Sequence, residues 1–145
     1  MLGCGHCHSV CVSGDGTVWC FGGNRRGQLG TGDTSFADLC YPQRINSLPR
    51  ISEVSCGSCF TMAVDFDGQV WGWGDNRKFQ QGSTILPHIP EPTKVDSLSD
   101  VPIRSVSCGG NHTICITIDD DLWGFGSNKK GQLGLGFIKT RVYPP

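Results

Sequence analysis

The amino-acid sequence predicts an all-β protein, and three observations carry that reading. Cysteine, tryptophan, glycine and asparagine recur at a fixed interval of 52 residues. Runs of about five residues alternate apolar and polar side chains, which is the period of a half-buried strand. Glycine supplies 21 of the 145 residues, more than helices tolerate, since an interior glycine costs a helix about 1 kcal/mol relative to alanine.

The repeat orders the elements. Trp19, Trp71 and Trp123 form one column of equivalent positions. Cys4, Cys56 and Cys108 form a second, Gly22, Gly74 and Gly126 a third, and Asn24, Asn76 and Asn128 a fourth. His8 to Ser13 reads as a strand with Val10 and Val12 on one face and Ser9, Cys11 and Ser13 on the other. Ser13-Gly14-Asp15-Gly16 is a tight turn in which glycine supplies a positive φ. Val18 to Gly22 is the returning strand, with Trp19 and Phe21 on a common face. Shorter strands are expected at Ile51–Val54 and Ile103–Val106, each leading into a Cys-Gly pair. A fourth strand is expected near Pro42–Ile45 and Pro92–Val95, at a sheet edge or starting after the proline, because proline donates no ladder hydrogen bond.

Three or four short strands in each unit, with glycine and aromatic residues recurring once per unit, is the pattern of a propeller blade. A lone sheet cannot bury both faces, so neighbouring blades must stack and share their Trp and Phe side chains. The expected fold is therefore a β-propeller of about three blades, partial or open, in one repeat domain over residues 1–145. Its units fall at about 4–50, 51–102 and 103–145, the last incomplete. Such an arc leaves two apolar blade faces uncovered. The chain is accordingly expected to belong to a longer product or to oligomerise so as to complete the ring.

The strings C-G-x-x-[HF]-[ST], D-G-x-V-W-x-[FW]-G-x-N and G-Q-L-G-x-G resemble the repeats of the regulator of chromosome condensation family. The resemblance covers the chain from Leu2 to Pro145. It implies a propeller ordinarily of about seven blades. Members of the family include a chromatin-bound exchange factor for the small GTPase Ran, and propellers attached to ubiquitin ligases, kinases and membrane-trafficking exchange factors. By that resemblance His8 and His112 are candidates for contact with a Ran-like GTPase. The column's middle member is Phe60, which favours a structural role in which the imidazole hydrogen-bonds backbone within its own blade. The exchange factor also uses an inserted hairpin wedge, for which the constant 52-residue spacing leaves no room.

Residues 4–8, CGHCH, spell the C-x-x-C-H string of covalent haem attachment and place Cys4, His6, Cys7 and His8 together as zinc would need. The columns dissolve that unit. Cys4 recurs as Cys56 and Cys108, His8 gives way to Phe60, and Cys7 pairs with Cys59 but meets Asn111 in the third copy. Equivalent positions of adjacent blades are expected about 10 Å apart, the spacing of face-packed sheets, too far for one tetrahedral ion. Cys11 and Cys115 share a column with Ala63, and Cys20 with Gly72 and Gly124, so these positions ask for small side chains. No metal, no cofactor and no catalytic constellation is expected.

The charges nearly cancel, 12 Lys+Arg against 13 Asp+Glu, so no polyelectrolyte character points to nucleic acid or an acidic membrane. Half of the basic residues nevertheless recur as pairs: Arg25-Arg26, Arg77-Lys78 and Lys129-Lys130. These are either solvated loop charges or a basic rim that meets an acidic protein surface or, more weakly, the DNA phosphates of chromatin. Asp119-Asp120-Asp121 belongs to a hairpin turn elsewhere on the blade. Residues 1–20 carry no basic start or apolar core of a signal peptide, so an intracellular location, cytoplasm or nucleus, and no membrane partner are expected. The functional expectation is a protein-interaction module in a regulatory or GTPase-linked assembly. Guanine-nucleotide exchange on a Ran-like GTPase, and the substrate-binding propeller of a ubiquitin ligase or kinase, are the alternatives.

Overall fold

The computed structural model describes residues 1–83, 86–137 and 139–142. Twelve strands form three antiparallel sheets of four. The first sheet holds β1 (Leu2–Cys4), β2 (His8–Val12), β3 (Val18–Gly22) and β4 (Leu39–Ile45). In the second are β5 (Ile51–Cys56), β6 (Phe60–Asp65), β7 (Val70–Asp75) and β8 (His88–Lys94). β9 (Ile103–Cys108), β10 (His112–Thr117), β11 (Leu122–Asn128) and β12 (Lys139–Val142) make the third. In every sheet the strands pair in chain order, as a meander. A single 3-10 turn, Asp96–Leu98, is the one helical element among the described residues.

The fourth strands run outermost, pairing only with the third, and so accept Pro42, Pro90 and Pro92. They begin before the proline, at Leu39 and His88, because an outer strand needs no donor on its open side. In the third unit β12 pairs with β11 through Gly126 and Asn128 and brings that sheet to four strands. Residues 143–145 of the C-terminal VYPP lie outside the described residues.

The hairpins turn as the sequence suggested, with Gly16 N–H donating to Ser13 O and Ser13 N–H to Thr17 O. The second turn keeps the matching bonds, Gly68 N–H to Asp65 O and Asp65 N–H to Gln69 O, and adds the Asp65 carboxylate, which accepts from Asp67 N, Gln69 N and the Trp71 indole. The third uses the Thr117 hydroxyl, which accepts from Asp119 N and Asp121 N. There Asp120, at φ 67, holds the left-handed position that Gly16 and Gly68 hold in the other copies.

Burial follows the stacking. In β2 the even positions His8, Val10 and Val12 are buried, whereas in β10 the odd positions Thr113, Cys115 and Thr117 are. All six residues of β6 are buried. The first sheet thus buries its forward face, the third its rear face, and the middle sheet both. Val10, Val18, Leu29, Ala63 and Trp73 fill the first seam, and Phe60, Met62, Val70, Cys115 and Phe125 the second. Each such aliphatic or Phe side chain contributes about 1.5–3 kcal/mol when fully buried. The outward faces stay open, with Leu2 74%, Trp19 38% and Leu122 72% exposed.

Gln81 breaks the pattern from inside. It occupies the position of Leu29 and Leu133 and is 1% exposed, and its Oε1 has no hydrogen-bond partner, while Nε2 donates to Asp75 O at 3.1 Å. A buried amide oxygen left bare costs about 1–3 kcal/mol. Gln81→Leu is expected to stabilise the fold by about 1 kcal/mol, read as a raised urea midpoint at unchanged slope. A lowered midpoint would show that the bond to Asp75 outweighs the bare oxygen.

Candidate functional site

The strand ends sort the loops into two faces. The β2–β3, β6–β7 and β10–β11 hairpins cap one end of the blades. At the other end the β1–β2 turn meets the loop that follows β3, and so in each copy. The basic pairs therefore lie at the opposite end of the strands from the Asp119–Asp121 turn.

Each basic loop is tied down by the same two side chains. Asn24 Oδ1 accepts from Leu29 N at 3.2 Å, Asn76 Oδ1 from Gln81 N at 3.1 Å, and Asn128 Oδ1 from Leu133 N at 3.0 Å. Gln28, Gln80 and Gln132 then accept through Oε1 from the backbone N–H of Arg26, Lys78 and Lys130 at 2.8, 2.8 and 2.9 Å. The second basic residue of every pair is thus held by its own backbone. This is why the pairs recur in register.

The loop also reaches the next blade. Gln28 O accepts from the Trp73 indole at 2.9 Å and the Thr61 hydroxyl at 3.3 Å, and Gln80 O accepts from the Thr113 hydroxyl at 2.6 Å. Gly74 is required beneath this contact. It sits at φ 99, and a β-carbon there would lie 3.1 Å from Gln28 Cα and 2.6 Å from Cys59 O.

His8 belongs to the same seam. Its Nε2 lies 2.9 Å from Thr61 Oγ1. The Thr61 hydroxyl proton goes to Gln28 O, so His8 donates from Nε2 and its Nδ1 is left without a partner. The ring covers Gly5 as Phe60 covers Gly57; a β-carbon at either glycine would overlap that ring. One expectation is corrected here. The His8 bond goes to a side chain of the adjacent blade, not to backbone of its own, because the column faces the seam. At 3% exposure the His8 ring lies inside that seam. His112, with no blade beyond it, is half-buried. Burial lowers the His8 pKa to about 4 and lowers that of His112.

The six basic side chains are not equivalent. Arg25, Lys129 and Lys130 are exposed and Lys78 partly so. Arg26 Nη1 donates to His88 Nε2 at 3.1 Å, across the seam. Arg77 makes a two-point pair with Asp75, at 2.8 and 3.0 Å. Burial alone would raise the Asp75 carboxyl, but Arg77 outweighs it and holds the pKa below its usual value. The middle pair's charge is therefore half neutralised. Asp75 was legible in the sequence, since it stands where the other copies have Gly23 and Ser127.

The CGHCH residues do not converge. His8 turns inward, whereas Cys4, His6 and Cys7 are exposed. Among the described residues no three His, Cys, Asp or Glu side chains are grouped to hold a metal ion. Adjacent copies come closer at this turn than sheet spacing suggests, with His6 N–H donating to Ser58 O at 3.0 Å. The blades converge there, so the 10 Å expectation does not hold at the turn. Burial raises the thiols of Cys20, Cys108 and Cys115 to about 12 and that of Cys56 to about 11, which makes them packing groups and not nucleophiles.

Four-stranded meanders stacked face to face, each locked to the next by a loop carbonyl, define an arc of a β-propeller. A family model described as the regulator of chromosome condensation (RCC1) repeat matches residues 15–64 and 67–116, and a second of that description matches 51–80 and 103–132. The chain belongs to the RCC1 repeat family. It is 35% identical over 146 residues to the ultraviolet-B receptor UVR8 of Arabidopsis thaliana, covering 99% of this chain and 33% of UVR8. It is 35% identical over 139 residues to the probable E3 ubiquitin-protein ligase HERC6 of Homo sapiens, covering 93% of this chain and 13% of that one. The chain thus spans a third or less of these relatives' length. Among solved structures, yeast RCC1 (Prp20) bound to Kap60 superposes with a TM-score of 0.86 at 22% identity, over 99% of this chain and 36% of Prp20. These superpositions show the fold.

The buried imidazole makes the fold pH-dependent. Between its ordinary value of 6.5 and about 4, the unfolded chain takes up a proton that folded His8 refuses. Its contribution is intact above pH 6.5 and is lost as pH falls toward 4. At about pH 4.5, His8 alone is expected to remove about 2 kcal/mol. His8→Phe, the residue of the sister position, should flatten the difference between urea midpoints at about pH 7 and about pH 4.5. The same acid loss in both proteins would show that His8 is not its source.

Proposed function

We propose that the chain is a protein-binding arc of an RCC1-type propeller, and that it takes its partner on the face carrying Arg25, Arg26, Arg77, Lys78, Lys129 and Lys130. The observation that carries this reading is the loop architecture. Three loops held by equivalent Asn and Gln bonds present basic side chains in register, with the acidic turn at the opposite end of the blades. Loops so tied lower the ordering cost of docking, and a rim with an excess of basic charge steers an acidic partner. The relatives support it in kind: a receptor and ubiquitin ligases carry such repeats within longer chains. Further blades, from a longer chain or a second copy, would cover the open faces at Trp19 and Leu122. The setting is intracellular, in cytoplasm or nucleus.

Nucleotide exchange on a Ran-like GTPase is the alternative. Prp20p of Saccharomyces cerevisiae, at 21% identity and a TM-score of 0.85, is described with its binding properties to Gsp1p and histones. Against exchange here, all twelve strands belong to the three blades, leaving none for an inserted hairpin among the described residues.

The test is charge reversal on the exposed basic residues. Arg25→Glu, and Lys129→Glu with Lys130→Glu, are each expected to weaken a partner identified by affinity capture about tenfold or more in a purified binding assay, and the loss should shrink with added salt. Undiminished affinity would remove the basic face from the reading. Release of labelled GDP from a Ran-like GTPase is expected to be unchanged by the chain; acceleration would establish the alternative.

A further inference from the structure

The thiols of Cys7 and Cys59 share a setting that packing does not explain. They are equivalent residues of adjacent blades, and the third copy carries Asn111 in their place. Each directly follows a member of the backbone pair in which His6 N–H donates to Ser58 O at 3.0 Å. Both line one open cavity of about 420 Å³, together with Arg25, Arg26 and Gln28. Cys7 is exposed and Cys59 half-buried. Gln28 Nε2 donates to Cys7 Sγ at 3.5 Å. Burial, the nearby Cys7 and Asp75 raise the Cys59 thiol, and Arg26 and Arg77 act against them. The other cysteine column differs: the half-buried thiols of Cys56 and Cys108 sit against Thr61 and Thr113 Oγ1, and burial raises both, with Cys4 exposed.

We propose that Cys7 and Cys59 form a peroxide-sensitive dithiol that oxidises to a disulfide joining the first blade to the second. Cys7, the exposed member, attacks the peroxide O–O bond as thiolate; a sulfenic acid forms on Cys7 and hydroxide leaves. The Cys59 thiolate attacks that sulfur, the S–O bond breaks, and a second hydroxide leaves and takes up a proton. In sum, two thiols and one hydrogen peroxide give one disulfide and two waters. The backbone pairing beside both residues draws the two turns together, and both thiols line one cavity; a disulfide requires Cα atoms within about 7 Å. The bond would close a loop of more than fifty residues across a seam otherwise held by non-covalent contacts, and so restrict the unfolded chain.

The experiment treats the reduced, folded chain with hydrogen peroxide and maps disulfide-linked peptides by mass spectrometry. A Cys7–Cys59 peptide is expected to form ahead of any other pairing and to disappear with dithiothreitol. Cys59→Ser should trap Cys7 as sulfenic acid, detectable with dimedone, and Cys7→Ser should abolish the link. The oxidised wild-type chain should melt about 5 °C or more above the reduced one, and the Cys59→Ser variant should show no such rise. A dominant Cys4–Cys7 or Cys4–Cys56 link, or a Cys7–Cys59 link formed only in urea, would overturn the proposal. Both thiols alkylating freely after peroxide treatment would overturn it as well.

Discussion

The carbonyl of Gln28 is the contact on which the rest of the arc depends. It lies at the tip of a loop from the first blade and accepts from Trp73 and Thr61 of the second. Apolar stacking alone is non-directional and would let two sheets slide. A carbonyl that takes an indole N–H and a hydroxyl at fixed positions sets the register between blades. The same short loop holds the basic pair, anchored through its own Gln and Asn side chains. The locking of the blades and the placing of the exposed charges are therefore consequences of one loop conformation.

The three copies act as substitutions made in one scaffold. Phe60 and His8 both cover a glycine, but only His8 adds a hydrogen bond across the seam, and with it a buried Nδ1. The middle loop carries Phe79 at φ 60 where Gly27 and Gly131 sit at 77 and 76. It also carries Gln81 in a leucine site, and it still keeps the Asn76 and Gln80 bonds of its sisters. The loop thus keeps both side-chain contacts despite an unfavourable backbone angle and a polar residue in a leucine site.

The columns of the repeat made the blades legible, because a period needs no knowledge of contacts. They showed which residues share a position, and hence that CGHCH is five independent positions. What they withheld was direction across the seam. A column says that His8 and Phe60 are equivalent; it does not say that the ring looks at the neighbouring sheet and not at its own. Nor does a column carry distance, so the approach of residues 6 and 58 at the β1–β2 turns was invisible to an argument based on uniform sheet spacing. Asp75 marks a different limit. Its difference from Gly23 and Ser127 stood in the sequence, but its pairing with Arg77 depends on the end of β7 turning both side chains the same way.

The two seams are built unequally along their inner strands. At the second seam the Glu53 carboxylate accepts from the Ser105 hydroxyl at 2.9 Å and Val106 N at 3.3 Å, and Ser55 Oγ accepts from Cys108 N at 2.9 Å. At the first seam the equivalent positions are Met1 and Gly3, and the corresponding bond is Val54 N–H to the Met1 sulfur at 3.4 Å. Hydrogen bonds to a carboxylate are about twice as strong as neutral ones, and a thioether is a weak acceptor. At the loop the balance reverses, since Gln28 O accepts from two donors, at 2.9 and 3.3 Å, and Gln80 O from the Thr113 hydroxyl at 2.6 Å. The first seam also holds the imidazole that loses its place on protonation. Acid therefore acts on the first seam through His8, in the seam whose inner strands lack the bonds of the Glu53 carboxylate.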